Sequence, residues 1–359
     1  VSPGISASTA QALCPGLLTL ERRKEREAVA LLGLADWGYR FTSLLALEPP
    51  DGLLLEVSGS LRLFGGLERL LRQSDAALAE EPDLDLVVWS ETAFVPAIDW
   101  HTRYRPSGES YQLVRELREY LARQTVPFLI GNDDGQLART ATGEEVRVDY
   151  NAAILFDRGR IVDTYRKLHL VPFTENFPFE RALPGVVEWL KAADTHFWQK
   201  GDRWTVFEAG GVKFAAPICF EDTFGYLARG FFNRGAEVLV NITNDAWSFS
   251  VPGAMQHMTM AVFRAAEARR AVVRATNAGI TCLIDPNGRV LEQLPAFTEG
   301  VLVGAVPLYT EGTTLYRRWG DWLPPACAAL AALAFAAAVV RRLRRGRPVG
   351  PGSRSALRT

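Results

Sequence analysis

VKFAAPICFEDTF, residues 212–224, sets a cysteine, Cys219, between an apolar run of strand composition and a helical stretch, EDTFGYLARGFFNRG (221–235). Strand ends are where α/β proteins assemble sites from distant parts of the chain. Backbone N–H groups at such a turn can form an oxyanion hole, and a following helix N-terminus favours the thiolate that acyl transfer needs as its nucleophile. By itself Cys219 reads first as a small buried core residue, because cysteine is among the most buried residue types.

Outward from that turn, short apolar runs alternate with amphipathic stretches. TVFEAGGVKFAA (205–216) reads as a hairpin turning on Gly210 and Gly211. ITCLIDPNGRVLEQL (280–294) reads as another, turning on Asn287 and Gly288, a pair that tolerates positive φ at both central positions. LDLVVW (84–89), PFLIG (127–131), AAILF (152–156), AEVLVNI (236–242) and VLVGAV (301–306) have strand length and composition. YQLVRELREYLARQ (111–124) and AMQHMTMAVFRAAEARRAVVRA (254–275) read as helices. Strands, helices and adjacent hairpins mixed in this way predict an α+β layered domain over residues 74–312 rather than a purely parallel sheet. The composition, 48% hydrophobic and 23% charged, is that of a folded core and excludes a disordered chain.

Two more residues able to do chemistry stand at strand ends. Glu91 follows LDLVVWS, and Lys167 ends RIVDTYRK (160–167). A carboxylate desolvated behind Trp89 acquires the raised pKa of a general base, and a lysine supplies fixed positive charge for a tetrahedral oxyanion. The remaining candidates have plainer readings. His169 and His257 are scattered singly and read as structural; Asn241, Asn244 and Asp245 read as loop-shaping residues after a strand. Cys282 and Cys327 read as apolar fillers. The four cysteines and four histidines share no metal-ligand spacing, so neither a metal nor a cofactor is expected.

WSETAF around Glu91, YRKLHLVPFTENFP around Lys167 and APICFEDTF around Cys219 resemble, in order, the three signature blocks of the nitrilase superfamily. The resemblance implies an αββα layered sandwich in which the glutamate is general base, the lysine steadies the tetrahedral intermediate and the cysteine is acylated. LHLVPFTE and NITNDAWSFSVPGAMQHMTMAVFRAAEARRAVVRATNAGIT (241–281) resemble the apolipoprotein N-acyltransferase branch, over roughly residues 75–345. That branch implies supporting roles for Glu175 and Glu221, and Phe220 stands where the family has an aromatic beside the nucleophile. Glu221 reads equally as a first-turn acid stabilised by a helix dipole. The implied partners are a phospholipid acyl donor, a diacylglyceryl-apolipoprotein acceptor and a membrane. The same catalytic residues with water as acceptor would make an amidase or nitrilase.

Residues 313–359 carry a different signal. LPPACAALAALAFAAAVV (323–340) has no charge and is long enough to span a bilayer. Tyr316, Trp319 and Trp322 precede it, and Arg341, Arg342, Arg344, Arg345 and Arg347 follow it. Positive-inside logic puts this tail in the cytoplasm, so the catalytic domain is expected on the periplasmic side of a bacterial inner membrane. A tail beside a membrane contacts anionic lipid, and no nucleic-acid partner is expected.

Residues 1–73 differ again. GISASTAQALCPG (4–16) and PPDGLLLEVSGSLRLFGG (49–66) resemble part of a Y-family translesion polymerase, nearest its accessory-subunit relatives. The fragment offers one acid, Glu56, where a two-metal polymerase site needs a cluster, so polymerase activity is not expected; a noncatalytic DNA-damage accessory module is the competing expectation. The acyltransferase family begins with several membrane helices, which do not precede the domain here, and the opening residues carry no signal-peptide pattern. LLLEVSG (53–59) has the length and apolar content to dock as a surrogate strand at an open sheet edge.

Overall fold

The computed structural model describes residues 9, 13–14, 23–38, 45–48, 52–55, 66–139, 143–180, 183, 185–186, 197–248 and 250–345. Most of GISASTAQALCPG, most of PPDGLLLEVSGSLRLFGG and the arginines beyond Arg345 lie outside the described residues.

Helix α1 (Lys24–Gly38) contacts a hairpin of β1 (Leu45–Glu48) and β2 (Gly52–Leu55). The hairpin register runs from Leu45↔Leu55 to Glu48↔Gly52, and the two strands form a sheet of their own. Among the described residues β2 pairs with β1 and with neither larger sheet, while Glu56 to Gly59 of the stretch read as a surrogate strand lie outside the described residues.

The first of those follows α2 (Leu67–Glu80). Its elements are β3 (Val87–Val88), α3 (Ile98–Arg103), α4 (Gly108–Arg123), β4 (Phe128–Arg139), β5 (Glu145–Asp157) and β6 (Arg160–Arg166). The strands lie in the order β3-β4-β5-β6, with β3 parallel to β4 and the rest antiparallel. Residue parity divides this sheet cleanly, as alternation across a strand demands. Phe128, Ile130, Ala152, Ile154 and Phe156 face α2 and α4 in a core with Val114, Leu117 and Leu121. Leu129, Ala153, Leu155 and Tyr165 face the other way, into a second core.

That second core is shared with the other sheet, built from β7 (Phe207–Ala209), β8 (Val212–Ala215), β9 (Val238–Asn244), β10 (Ala271–Asn277), β11 (Thr281–Ile284) and β12 (Val290–Leu294). Its order is β12-β11-β10-β9-β8-β7, and the central strands β8, β9 and β10 run parallel. Two helices complete the layer, α5 (Gly225–Phe232) and α6 (Val251–Ala268). Leu227, Phe231 and Phe232 of α5 are buried, as are Ala254, Ala261 and Ala265 of α6, whose small side chains bring that helix close. Each fully buried large side chain contributes about 1.5–3 kcal/mol to holding the layers together.

Three readings of local structure are corrected here. The long helix read over 254–275 ends at Ala268; Arg269 takes a left-handed φ of 53°, and AVVRATN is strand β10. Its β-branched Val272 and Val273 pair with Leu239 and Val240 of β9, so sheet packing overrides the helical run. At the Asn287–Gly288 turn only Gly288 has positive φ, 84°. Gly288 N donates to Asp285 O at 2.9 Å, and the Asp285 carboxylate accepts from Asn287 N and Arg289 N, so the turn begins at Asp285 with Pro286 at its first corner. VLVGAV forms no strand; Gly304 passes against Leu283 and Glu292, where it lacks a ladder partner.

At the end of the described chain lie α7 (Leu315–Trp319) and α8 (Leu323–Arg345). Helix α7 is fastened to α5: the Arg229 guanidinium donates to Arg317 O and Arg318 O, both at 2.9 Å, and Arg317 donates back to Phe232 O at 2.6 Å. Helix α8 is long and apolar enough to cross a membrane over Leu323–Leu343, and none of that stretch is buried in the protein. Among the described residues it is therefore not a buried, alanine-rich core helix.

Candidate active site

Glu91 lies on the turn that leaves β3. The backbone closes tightly there: Thr92 has φ 56°, and a Cβ on Gly131 of β4 would stand 2.7 Å from Glu91 Cα. Only glycine lets β4 pass this close. The Glu91 carboxylate is buried, and Oε1 accepts from Asn151 Nδ2 of β5 at 2.7 Å. Oε2 has no hydrogen-bond partner among the described residues. Burial raises its pKa above the ordinary carboxylate value, against the opposing pull of Lys167 and Asn151.

Lys167 follows β6 directly and is fully buried. Its backbone is pinned on both sides, Lys167 N donating to Asn151 O at 2.9 Å and Gly201 N to Lys167 O at 2.8 Å. The ammonium donates to Glu175 Oε1 at 2.7 Å, while Glu175 Oε2 accepts from Val171 N at 2.8 Å. Burial opposes the lysine's charge, yet the combined attraction of Glu91, Cys219, Glu175 and Glu221 lifts its pKa above the ordinary value. Lys167 is a permanent cation at neutral pH.

Cys219 stands after β8 with φ 53°, a left-handed conformation that a residue with a Cβ adopts only at a cost of roughly 1–3 kcal/mol. The surroundings over-determine it. Asn241 Nδ2 donates to Pro217 O at 3.0 Å and to Cys219 O at 3.1 Å, and Ile218 bridges to Ile242 on β9. Thr243, two residues beyond Asn241 and on the same strand face, is likewise fully buried. The thiol pKa is nonetheless pushed well up, first by burial and then by the charge of Glu91, with Lys167 and Thr243 opposing. This corrects the expectation of a thiolate stabilised by a helix N-terminus. The residues after Cys219 form a five-residue 3-10 turn, Cys219–Thr223, and α5 starts only at Gly225. Burial favours the thiol over the thiolate here, and Glu91 is the carboxylate whose field it feels most, ahead of Asp245.

Glu221 ties the lysine segment to the cysteine turn. Its carboxylate accepts from Leu168 N, His169 N and Ile218 N, each at 2.8 Å, and from Tyr165 Oη at 2.8 Å. Burial pushes its pKa up to about 7, with Lys167 and these donors opposing. A first-turn acid held by a helix dipole alone would lack the contacts to Tyr165, Leu168 and His169. Phe220 stacks on His257 at 4.7 Å and leans on Trp247 at 5.6 Å.

Glu91, Lys167, Glu175, Cys219 and Glu221 are all buried and lie close enough to act on one another's charge, whereas Phe220, next to Cys219 in the chain, is half-buried and contacts His257 and Trp247. Asn151, Tyr165 and Thr243 were not singled out; their one sequence signal is a polar group inside an apolar strand. Asn241, read as a loop residue, is a buried strand residue holding the nucleophile's carbonyl. Cys282 is buried in β11 and Cys327 is exposed on α8, neither beside Glu91 or Lys167. A surface cavity of about 280 Å³, lined in part by Asp99, Asp134 and Arg166, includes none of the three central residues.

Comparison with known proteins adds sequence relatives to this geometry. The carbon-nitrogen hydrolase family matches residues 59–316. Apolipoprotein N-acyltransferase 1 of Treponema pallidum (strain Nichols) is 52% identical over 255 residues, covering 70% of this chain and 47% of that protein. The protein of the same name from Treponema denticola is 46% identical over 283 residues, covering 75% and 52%. An apolipoprotein N-acyltransferase of Azotobacter vinelandii is 34% identical over 367 residues, covering 96% of this chain and 66% of that protein, so this similarity extends into residues 1–73. The chain spans about half the length of the two Treponema relatives. Among solved structures, Saccharomyces cerevisiae Nit3, a member of branch 10 of the nitrilase superfamily, superposes with a TM-score of 0.46 at 20% identity, covering 66% of this chain and 82% of that one.

Proposed function

The chain belongs to the carbon-nitrogen hydrolase family, and from that premise we propose that it is an acyltransferase moving a fatty acyl group from a phospholipid to the N-terminal amine of a diacylglyceryl-apolipoprotein. The observation that carries the reading is the meeting of Glu91, Lys167 and Cys219, from three separate strand ends, in one buried cluster. Glu91 takes the thiol proton as the sulfur attacks the phospholipid ester carbonyl, and the oxyanion forms against the Lys167 ammonium. Collapse expels the lysophospholipid alkoxide, which receives the proton from Glu91 and leaves a thioester on Cys219. The lipoprotein amine then attacks the thioester, loses a proton to Glu91, and departs as an amide while the thiol re-forms. Glu175 holds the lysine, and Glu221 holds both loops in register.

In this reading residues 74–312 carry the catalytic site in an αββα sandwich, with the family match reaching back to residue 59, and residues 313–359 form a membrane helix and basic tail. The aromatic residues before α8 and the arginines in and beyond its last turns orient the site toward the periplasmic face and the tail toward the cytoplasm. A reporter active only in the cytoplasm is expected to work when fused after Arg347.

The test of the whole reaction uses membranes bearing the full chain, a phospholipid with an alkyne-tagged acyl chain, and a diacylglyceryl-cysteine peptide. Tag appearing in amide linkage on the peptide supports the transferase. Release of the tag as free fatty acid, with the peptide unmodified, would reassign the chain to hydrolysis with water as acceptor.

A further inference from the structure

Beneath the nucleophile lies a set of charged groups that the acyl-transfer chemistry does not use. Asp222 sits on the 3-10 turn after Cys219, Asp245 just after β9, His257 on α6 and Arg274 on β10. All four are buried. His257 Nε2 lies 3.0 Å from Asp222 Oδ1, and Nδ1 lies 2.7 Å from Asp245 Oδ1. Arg274 pairs with the other oxygen of Asp222, and its second amino group stands 3.7 Å from Asp245 Oδ2. The upper face of the imidazole stacks on Phe220, the residue after Cys219, with 17° between the ring planes.

We propose that His257 is a positioning residue for the nucleophile: clamped as an imidazolium between Asp222 and Asp245 and stacked on Phe220, it holds the Cys219 turn in its left-handed conformation. The proposal rests on the reading of Cys219 as the nucleophile and deepens it.

Charge balance supports the imidazolium. Two buried carboxylates against the single guanidinium of Arg274 leave one negative charge in the protein interior, and a second cation removes it. A neutral imidazole has one N–H, so one of its nitrogens would present a lone pair to a carboxylate. Geometry and charge agree with a His257 pKa pushed up to about 9, burial opposing and the hydrogen bonds to Asp222 and Asp245 prevailing. The groups facing the imidazole are Asp222 from the turn, Asp245 from the β9 loop and Arg274 from β10; Cys282 on β11 feels Arg274 and Asp222. An imidazolium over the Phe220 ring adds cation–π attraction to the stack. Gly279 lets Asp245 into place, since a Cβ there would meet Asp245 Oδ2 at 2.3 Å.

The sign of the pH dependence follows. Below its pKa the imidazolium satisfies both carboxylates and the turn is held; as pH rises through about 9 the proton leaves, one contact becomes repulsive, and the turn is freed to relax out of its strained φ. A displacement of about 1 Å at a reacting atom costs on the order of a hundredfold in rate.

The experiment uses the full chain in detergent and a soluble acyl p-nitrophenyl ester, with two readouts. Nitrogen-15 histidine spectra should show one of the four histidines doubly protonated at pH 8, titrating near 9, and moved toward its ordinary value in Asp222→Asn. Wild-type acylation of Cys219 should fall above pH 9. His257→Gln should lower kcat by about tenfold or more with KM little changed, and abolish that alkaline limb. A folded His257→Gln with wild-type kcat, or a wild type whose His257 titrates near 6.5, overturns the proposal. Acyl groups absent from Cys219 in a wild type that keeps its high-pH imidazolium would take down the thioester reading and reduce the cluster to a structural ion pair.

Discussion

The two sheets contribute to one site by opposite means. The first, β3 to β6, supplies the charges: Lys167 is neutralised by Glu175, and the Glu91 carboxylate is oriented by Asn151 through Oε1 with Oε2 left unpartnered among the described residues. The second, β7 to β12, supplies a nucleophile under strain, with Cys219 at positive φ and a thiol whose burial opposes ionisation. One half of the site holds the charges and the other is mechanically loaded. The proposed reaction draws on both, because in it a strained thiol without a base stays protonated, and a base without the strained turn has nothing aimed at it.

Substitutions on the first sheet should cost chemistry before stability. Glu91→Gln keeps the hydrogen bond from Asn151 in shape but removes the proton acceptor, so acylation by a soluble ester should slow by about 10²- to 10⁴-fold with little change in melting temperature. A wild-type rate in that variant would transfer the base role elsewhere. In the wild type the acid limb of acylation should lie above the ordinary carboxylate value of 4.5, because the rate falls as pH drops through a pKa that burial has raised. A limb at or below 4.5 would contradict the desolvated base.

Lys167→Met removes the charge facing the oxyanion, and a loss of roughly 10²- to 10³-fold is expected. It also strands Glu175, which should cost about 3–5 kcal/mol in a denaturation experiment. Adding Glu175→Gln should return much of that stability and none of the rate. Recovery of both would mean that the lysine is only structural.

Gly131→Ala probes the contact between halves of the first sheet and has the smallest expected effect. Its Cβ would press on Glu91 Cα and Ser90 O, at 2.7 and 2.9 Å, so overpacking should cost about 1–3 kcal/mol in stability and displace the base. Kinetics unchanged within twofold would show that the Glu91 turn yields freely.

Much of this was legible in the sequence, for identifiable reasons. Glu91 and Cys219 each punctuate an apolar run and are visible there without coordinates, whereas Lys167 follows the largely polar RIVDTYR and is legible only through the YRKLHLVPFTENFP block. Gly210 and Gly211 both take positive φ, 57° and 76°, as a tight hairpin requires. The boundary between α6 and β10 was hidden because ARRAVVRA continues a helical pattern, and only pairing with β9 turns it into a strand. The direction of the Cys219 shift was hidden too, since it depends on how completely the turn is buried. The partners of His257 are dispersed along the chain at Asp222, Asp245 and Arg274, so their meeting belongs to the fold and not to any local motif.

The most direct measurement is the site of acylation. The full chain is treated with a soluble activated acyl ester, quenched in acid and mapped by mass spectrometry before and after hydroxylamine. A hydroxylamine-sensitive acyl group on Cys219, absent from Cys219→Ala and retained in Cys282→Ala and Cys327→Ala, is the predicted result. An acyl group on Cys282, or one that persists in Cys219→Ala, would contradict the account.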